Sequence, residues 1–217
     1  MSLPAFQNSP YASEQSPEST IRKRMTGCAS SRKHCTKKPR PNTALKDNPT
    51  VRAYRDFYWK LDIDPTKTRP SGEALLRRVL NGNELPNIST AVDAYNLASM
   101  QTVIPISGFD IYRLNPPFHI RFAENEAVTG IGMDKPMQLT EKMLILTDEE
   151  QVLCVYPYRD SDQTKITLLT QKAVIIGYGA PRIGQERLMA AVERALEYIE
   201  RVSGGEIETI KAFGRCT

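Results

Sequence analysis

The sequence predicts an α+β fold, with N-terminal helices, a mostly antiparallel central sheet and a closing C-terminal helix. Three observations predict it. Between about residues 48 and 100 the apolar residues recur at helical spacing. Beyond that they fall into short β-branched and aromatic runs separated by turn clusters such as NPP, DEE and RDSDQ. Near the end, from about Ile183 to Val202, helical spacing returns.

Folded structure is expected to begin at Asn48-Pro49, an N-cap followed by proline at the first helical position. Val51, Tyr54, Phe57 or Tyr58, and Leu61 then share one helical face, and Asp64-Pro65 stops the helix. The hydroxyl of Ser71 is expected to cap a second helix carrying Leu75, Leu76, Val79 and Leu80, which ends at Asn81-Gly82. A third helix runs from Ser89 to about Met100. Strands are expected in TVIPI, DIYRL, FHIRF, MLILT, VLCVYPY, KITLLT and AVIIG. In the closing helix Leu188, Val192, Ala195, Leu196, Ile199 and Val202 form one stripe, opposed by Glu and Arg and stopped by Gly204-Gly205.

A chain of 217 residues and 24.4 kDa accommodates one core with an appendage. The expected division is a flexible basic arm over residues 1–46, one domain over 47–205 and a tail over 206–217. No apolar run approaches the ~20 residues of a membrane span, which excludes a membrane protein and points to the cytoplasm. A secretory signal is excluded by the missing apolar core. The Ser- and Arg-rich start is compatible with an organelle transit peptide, although Glu14 and Glu18 argue against one. Net charge is +4, but eight cations (Arg22, Lys23, Arg24, Arg32, Lys33, Lys37, Lys38 and Arg40) crowd residues 22–40 without an acidic residue. Such a stretch is either a solvated tail or a polyanion-binding arm.

Several chemistries are excluded by spacing. Cys28, Cys35, Cys154 and Cys216 imply no disulfide framework, and with only His34 and His119 no zinc site is expected. Cys154, within QVLCVY, reads as a reduced, packed thiol. AVIIGYGAPRIGQERL lacks the glycine spacing of a dinucleotide fingerprint and places Pro181 in the turn. No GxxxxGK loop occurs, neither histidine accompanies a nucleophile elbow, and no cofactor is expected.

RPSGEALLRRVLNGNELPNISTAVDAYNLASMQTVIPISGFD is the stretch that carries candidate chemistry. Ser89, Asp93 and Asn96 fall on one face of the third helix, Asn87 precedes it, and Ser107-Gly108-Phe109-Asp110 ends the following strand. Singly, such polar groups cap helices and tie turns. Together they outline a polar cleft for a ligand with an amine and hydroxyls.

This segment resembles the B3/B4 domain of the phenylalanyl-tRNA synthetase β subunit and, more closely, its free-standing relatives. The matching residues are Arg69-Pro70-Ser71, Glu73-Ala74-Leu75, Arg77-Arg78, Pro86-Asn87-Ile88, Val92-Asp93-Ala94-Tyr95-Asn96 and Pro105 to Asp110. The resemblance extends from about Asn48 to Val202 and implies a B3/B4-like fold. It also implies a proofreading hydrolase that cleaves a wrongly attached amino acid from the tRNA 3′ end, with mischarged tRNA as partner and a synthetase as a further one. Such ester hydrolysis needs a positioned water and a stabilised oxyanion, and the tRNA ribose hydroxyl assists. On that reading Asp110, Ser107 and Asp93 are the catalytic candidates, with Asp110 or Asp93 holding the α-ammonium. Asn87, Ser89, Asn96 and Ser71 are candidate substrate contacts, and Arg69, Arg77 and Arg78 candidate contacts to acceptor-end phosphates. Ser107 stands where the synthetase family has histidine, and the family's Gly-Val-Met-Gly-Gly turn and tyrosine-reading glutamate have no counterpart in VLCVYPYRDSDQTK. The alternatives from other classes are a non-catalytic RNA-binding module and a binder of a free amino acid.

Overall fold

The computed structural model describes residues 42–213; most of the basic arm, with Cys28, His34 and Cys35, lies outside them, as does Cys216. The first described element is a 3-10 helix over Asn42–Asp47. Leu45 of this turn is buried against Val51 and Val103, so the packed domain begins before residue 47. Helix α1 spans Pro49–Lys60, and the Asn48 side chain accepts from the amide of Thr50 at 2.9 Å. Helix α2 spans Ser71–Leu80. Its N-cap is Pro70 and no side chain caps it, so Ser71 is the first helical residue and not the expected cap. Helix α3 spans Thr90–Thr102, and the Ser89 hydroxyl caps it by accepting from the Val92 amide.

At the end of α3 Val103 adopts φ 62°, a left-handed conformation that is costly for a β-branched residue. The reversal is held by Ser99 Oγ, which donates to the Ile104 carbonyl at 2.6 Å. TVIPI is therefore split, with Thr102 closing the helix and only Ile106 entering strand β1, Ile106–Asp110. The α2–α3 contact is close enough that a Cβ at Gly72 would lie 2.8 Å from the Val103 carbonyl carbon, so no larger residue fits there.

The remaining strands are β2 (His119–Phe122), β3 (Ala127–Val128), β4 (Met137–Gln138), β5 (Leu144–Thr147), β6 (Val152–Val155), β7 (Arg159–Asp160) and β8 (Ala173–Gly177). Every pairing is antiparallel, but the strands divide into a four-stranded sheet, β2-β5-β6-β7, and the ribbons β1-β8 and β3-β4. Two expected strands are absent. In DIYRL, Asp110 Oδ1 accepts from the Tyr112 amide at 3.1 Å and caps a 3-10 helix over Ile111–Arg113. In KITLLT, Thr170 Oγ1 accepts from the Thr167 amide at 2.9 Å and closes a turn, leaving only Lys165 bridged to Phe109. In both, a short polar side chain captures the backbone donor that a ladder would need. The closing helix α4 spans Gln185–Ser203 and packs on α3 and β8.

Strand β1 joins the two halves of the molecule. Ile106 belongs to a core with Tyr54 of α1, Val92, Tyr95 and Ala98 of α3, and Ala191 and Ala195 of α4. Phe109 belongs to a second core with Leu146, Leu153, Cys154, Tyr156 and Tyr178, shared with the four-stranded sheet. One edge of β1 pairs with β8. Along the other runs the segment after β7, with the Asp110 amide donating to the Thr164 carbonyl at 2.9 Å.

Candidate functional site

Two surroundings take up the candidate residues, one on β1 and one on α2. Side chains alternate along a strand. A Cβ at Gly108 would lie 2.9 Å from Cε1 of Tyr95 on α3, so glycine is what lets the Tyr95 ring lie against the strand. Ser107 reaches the four-stranded sheet instead, and its hydroxyl donates to Asp160 Oδ1 of β7 at 2.8 Å. Cys154, a free and fully buried thiol, sits opposite Asp160 in the β6–β7 register. Burial pushes the Asp160 carboxyl above the ordinary carboxylate range, and hydrogen bonding from Ser107 and Cys154 only partly offsets it. Burial also raises Tyr95, with the charges of Asp160 and Asp93 adding to the effect. Ser107, Asp160, Tyr95 and Asp93 therefore form one electrostatic neighbourhood between β1, β7 and α3. The Tyr178 hydroxyl is buried beside it. Among the described residues it has no hydrogen-bond partner, yet it lies near enough to Asp160 and Cys154 to act on their protonation.

The other two carboxylate candidates are engaged locally. Asp110 caps the Tyr112 amide with Oδ1 and accepts from Thr170 Oγ1 at 2.7 Å with Oδ2, so both oxygens hold turns. Asp93 Oδ1 accepts from the Ile88 amide at 2.9 Å. Ser89 serves as helix cap, Asn96 and Ser71 are half-buried on their helices, and Asn87 is exposed. Asp160, the carboxylate bonded to Ser107, is absent from the sequence-based candidates. It lies 53 residues downstream inside RDSDQ, a run with the composition of a turn.

The basic candidates converge. Arg69, Arg77 and Arg78 line one open groove of about 550 Å³ along α2, joined by Lys67, Asn81 and Asn83. Beneath it Glu73 is fully buried. Arg55 of α1 grips it through two bonds, Nε to Oε2 at 2.9 Å and Nη2 to Oε1 at 2.6 Å, and Arg77 Nε donates to Oε1 at 2.6 Å. Burial alone would raise the Glu73 carboxyl, but the hydrogen bonds from Arg55 and Arg77 prevail and hold it below its ordinary value. Two guanidiniums sharing one carboxylate keep a net positive charge. Arg78 Nε donates to the Glu84 carbonyl, which orders the chain after α2.

Among the described residues no helix is long and apolar enough to cross a membrane, and no three His, Cys, Asp or Glu side chains group as metal ligands. Fold and site together define an α+β domain with a basic groove along one helix and a Ser–Asp pair that joins its β1–β8 ribbon to the four-stranded sheet. The chain belongs to the B3/4 domain family, whose model matches residues 53–204. Among solved structures it is similar to an N-terminal fragment of the phenylalanyl-tRNA synthetase β subunit from Pyrococcus horikoshii, at 19% identity and a TM-score of 0.45. The match covers 54% of this chain and 42% of that fragment. None of the curated proteins compared matches the chain.

Proposed function

We propose that this protein binds the acceptor end of tRNA and hydrolyses the ester that joins a wrong amino acid to it. The observation that carries the reading is the convergence of Lys67, Arg69, Arg77 and Arg78 on one open groove of a B3/4 domain. A cluster of cations around one open groove suits a phosphodiester backbone, which it positions without reading sequence.

The hydrolytic role is the one implied by the resemblance to synthetase editing domains, and the Ser107–Asp160 pair supplies chemistry for it. A carboxyl raised by burial is a better proton acceptor than an exposed one. In this reading Asp160 takes a proton from water as the water oxygen attacks the ester carbonyl. Collapse of the tetrahedral intermediate then breaks the bond to the ribose oxygen, which is reprotonated as the free 3′ or 2′ hydroxyl. In this reading Ser107 orients the carboxylate, and Asp93, whose charge acts on Tyr95, belongs to the same proposed site. Asp110 has its place as the clamp of two turns beside β1. Asn87, Ser89, Asn96 and Ser71, on α2, α3 and the connection between them, are the groups this reading assigns to contacts with the terminal ribose.

A panel of mischarged tRNAs tests the reading by ester loss against a buffer control, with tRNA affinity measured alongside. Loss of at least one ester faster than buffer supports it. Salt-sensitive binding with no ester loss leaves an RNA-binding module. Absence of binding at low salt removes both and favours a binder of free amino acids.

A further inference from the structure

We infer that Ile131, in the loop of the β3–β4 hairpin, is a specificity-determining residue that packs against an apolar side chain of the amino acid being removed; the inference rests on the hydrolytic reading above. The four-stranded sheet continues past β7 through this loop. Gly130 bridges Ser161, with the Ile131 amide donating to the Asp160 carbonyl at 2.9 Å and the Asp162 amide to the Thr129 carbonyl at 2.8 Å. That register sets Ile131 opposite Asp160, and residues opposite each other in an antiparallel pair share a face. The neighbours agree: a Cβ at Gly130 would lie 2.5 Å from Cδ of Arg159, so those two residues occupy the other face.

Leu146, Cys154, Asp160 and Ile131 thus form one row across the sheet, on the face that Ser107 meets. Leu146 and Cys154 are buried, Asp160 is half-buried and Ile131 is 42% exposed, so the row opens to solvent at its Ile131 end. A lone exposed apolar residue is ordinary on a protein surface. Ile131 differs in having a fixed place. The Met133 amide donates to the Gly130 carbonyl at 3.0 Å and Gly132 takes φ 78°, the glycine position of a type II turn with Ile131 at its corner. An ester carbonyl that reaches Asp160 carries the amino-acid side chain on the next carbon, within reach of a residue about 5.5 Å away across an antiparallel pair. An aliphatic surface there favours an apolar side chain and leaves the hydrogen-bonding groups of a polar one unmet.

The test runs the mischarged-tRNA panel with wild type, Ile131→Ala and Ile131→Val, comparing kcat/KM for esters of large apolar amino acids with those of alanine and serine. The wild-type chain is expected to prefer the large apolar esters. Ile131→Ala is expected to slow their hydrolysis about tenfold and that of the small esters by no more than about twofold, the scale of a lost apolar contact in a specificity pocket. Transfer RNA affinity and the thermal midpoint should stay at wild type, and Ile131→Val should keep most of the preference. An equal loss on every ester, with or without a lowered midpoint, overturns the inference while hydrolysis stands. So does an unchanged profile, or a wild-type chain that cleaves only esters of polar amino acids. Ester loss at the buffer rate across the whole wild-type panel overturns the hydrolytic reading and the inference with it.

Discussion

At the scale of single residues, the Ser107–Asp160 pair carries a conflict between stability and chemistry. Burial raises the Asp160 carboxyl, so the folded state holds its proton more tightly than the unfolded chain does. The stability linked to that group is present below the unfolded carboxylate value and is lost as pH rises through the folded one. Asp160→Asn is therefore expected to raise the thermal midpoint at pH 7 and to change it little near pH 3, where the wild-type carboxyl is neutral in both states. The same variant is expected to slow ester hydrolysis by about 10²-fold or more, the usual contribution of a positioned base. Calorimetry at two pH values and a single-turnover assay check the two halves. An equal loss of stability and activity would mark Asp160 as purely structural. Ser107 was legible in the sequence because the motif ending β1 singles it out. Asp160 was not, since its partner is 53 residues away in a different sheet and a side-chain bond between sheets leaves no local period to read.

At the scale of elements, the helices were the legible part. Asn48-Pro49 marks the start of α1, and the Asn48 oxygen accepts from the Thr50 and Val51 amides. Asn48→Ala is expected to cost about 1 kcal/mol in urea unfolding, the ordinary value of an N-cap. Helix α2 depends on Glu73 differently. Its carboxyl is held below its ordinary value, so the stabilisation it gives is present above that value and is lost as pH falls through the lower, folded one. Glu73→Gln is expected to cost about 3 kcal/mol at pH 7, because it leaves two guanidiniums facing a neutral group. The gap to wild type should narrow on acidification, as chemical denaturation across pH 3–7 would show; a gap independent of pH would contradict the assignment. DIYRL and KITLLT show where local pattern misleads. Both have strand composition, yet Asp110 and Thr170 satisfy backbone donors from within, and the two turns are then tied by Thr170 donating to Asp110. A side-chain bond between residues 60 apart has no signature in either run.

At the scale of the whole molecule, two basic regions stand in one chain: the groove on α2 and the eight cations of residues 22–40. The sequence showed both charge sets, but only the fold brings Lys67 and Arg69 beside Arg77 and Arg78, because the bend before α2 turns them onto its surface. Leu45 belongs to the core, so a truncation that tests the arm should remove residues 1–41 and leave the first turn intact. That truncation is expected to weaken tRNA binding and flatten its salt dependence without lowering the thermal midpoint. Equal salt slopes with and without the arm would make it a solvated tail. Arg69→Gln with Arg78→Gln should lower the slope by about 2, one for each phosphate contact removed. The central claim is that this B3/4 domain acts on the ester at the tRNA acceptor end. It is tested most directly by incubating the full-length wild-type protein with a panel of mischarged tRNAs and following ester loss. The account predicts that at least one ester is lost faster than in buffer and that Asp160→Asn abolishes the difference while tRNA affinity stays within about twofold. Ester loss at the buffer rate across the whole panel would contradict it.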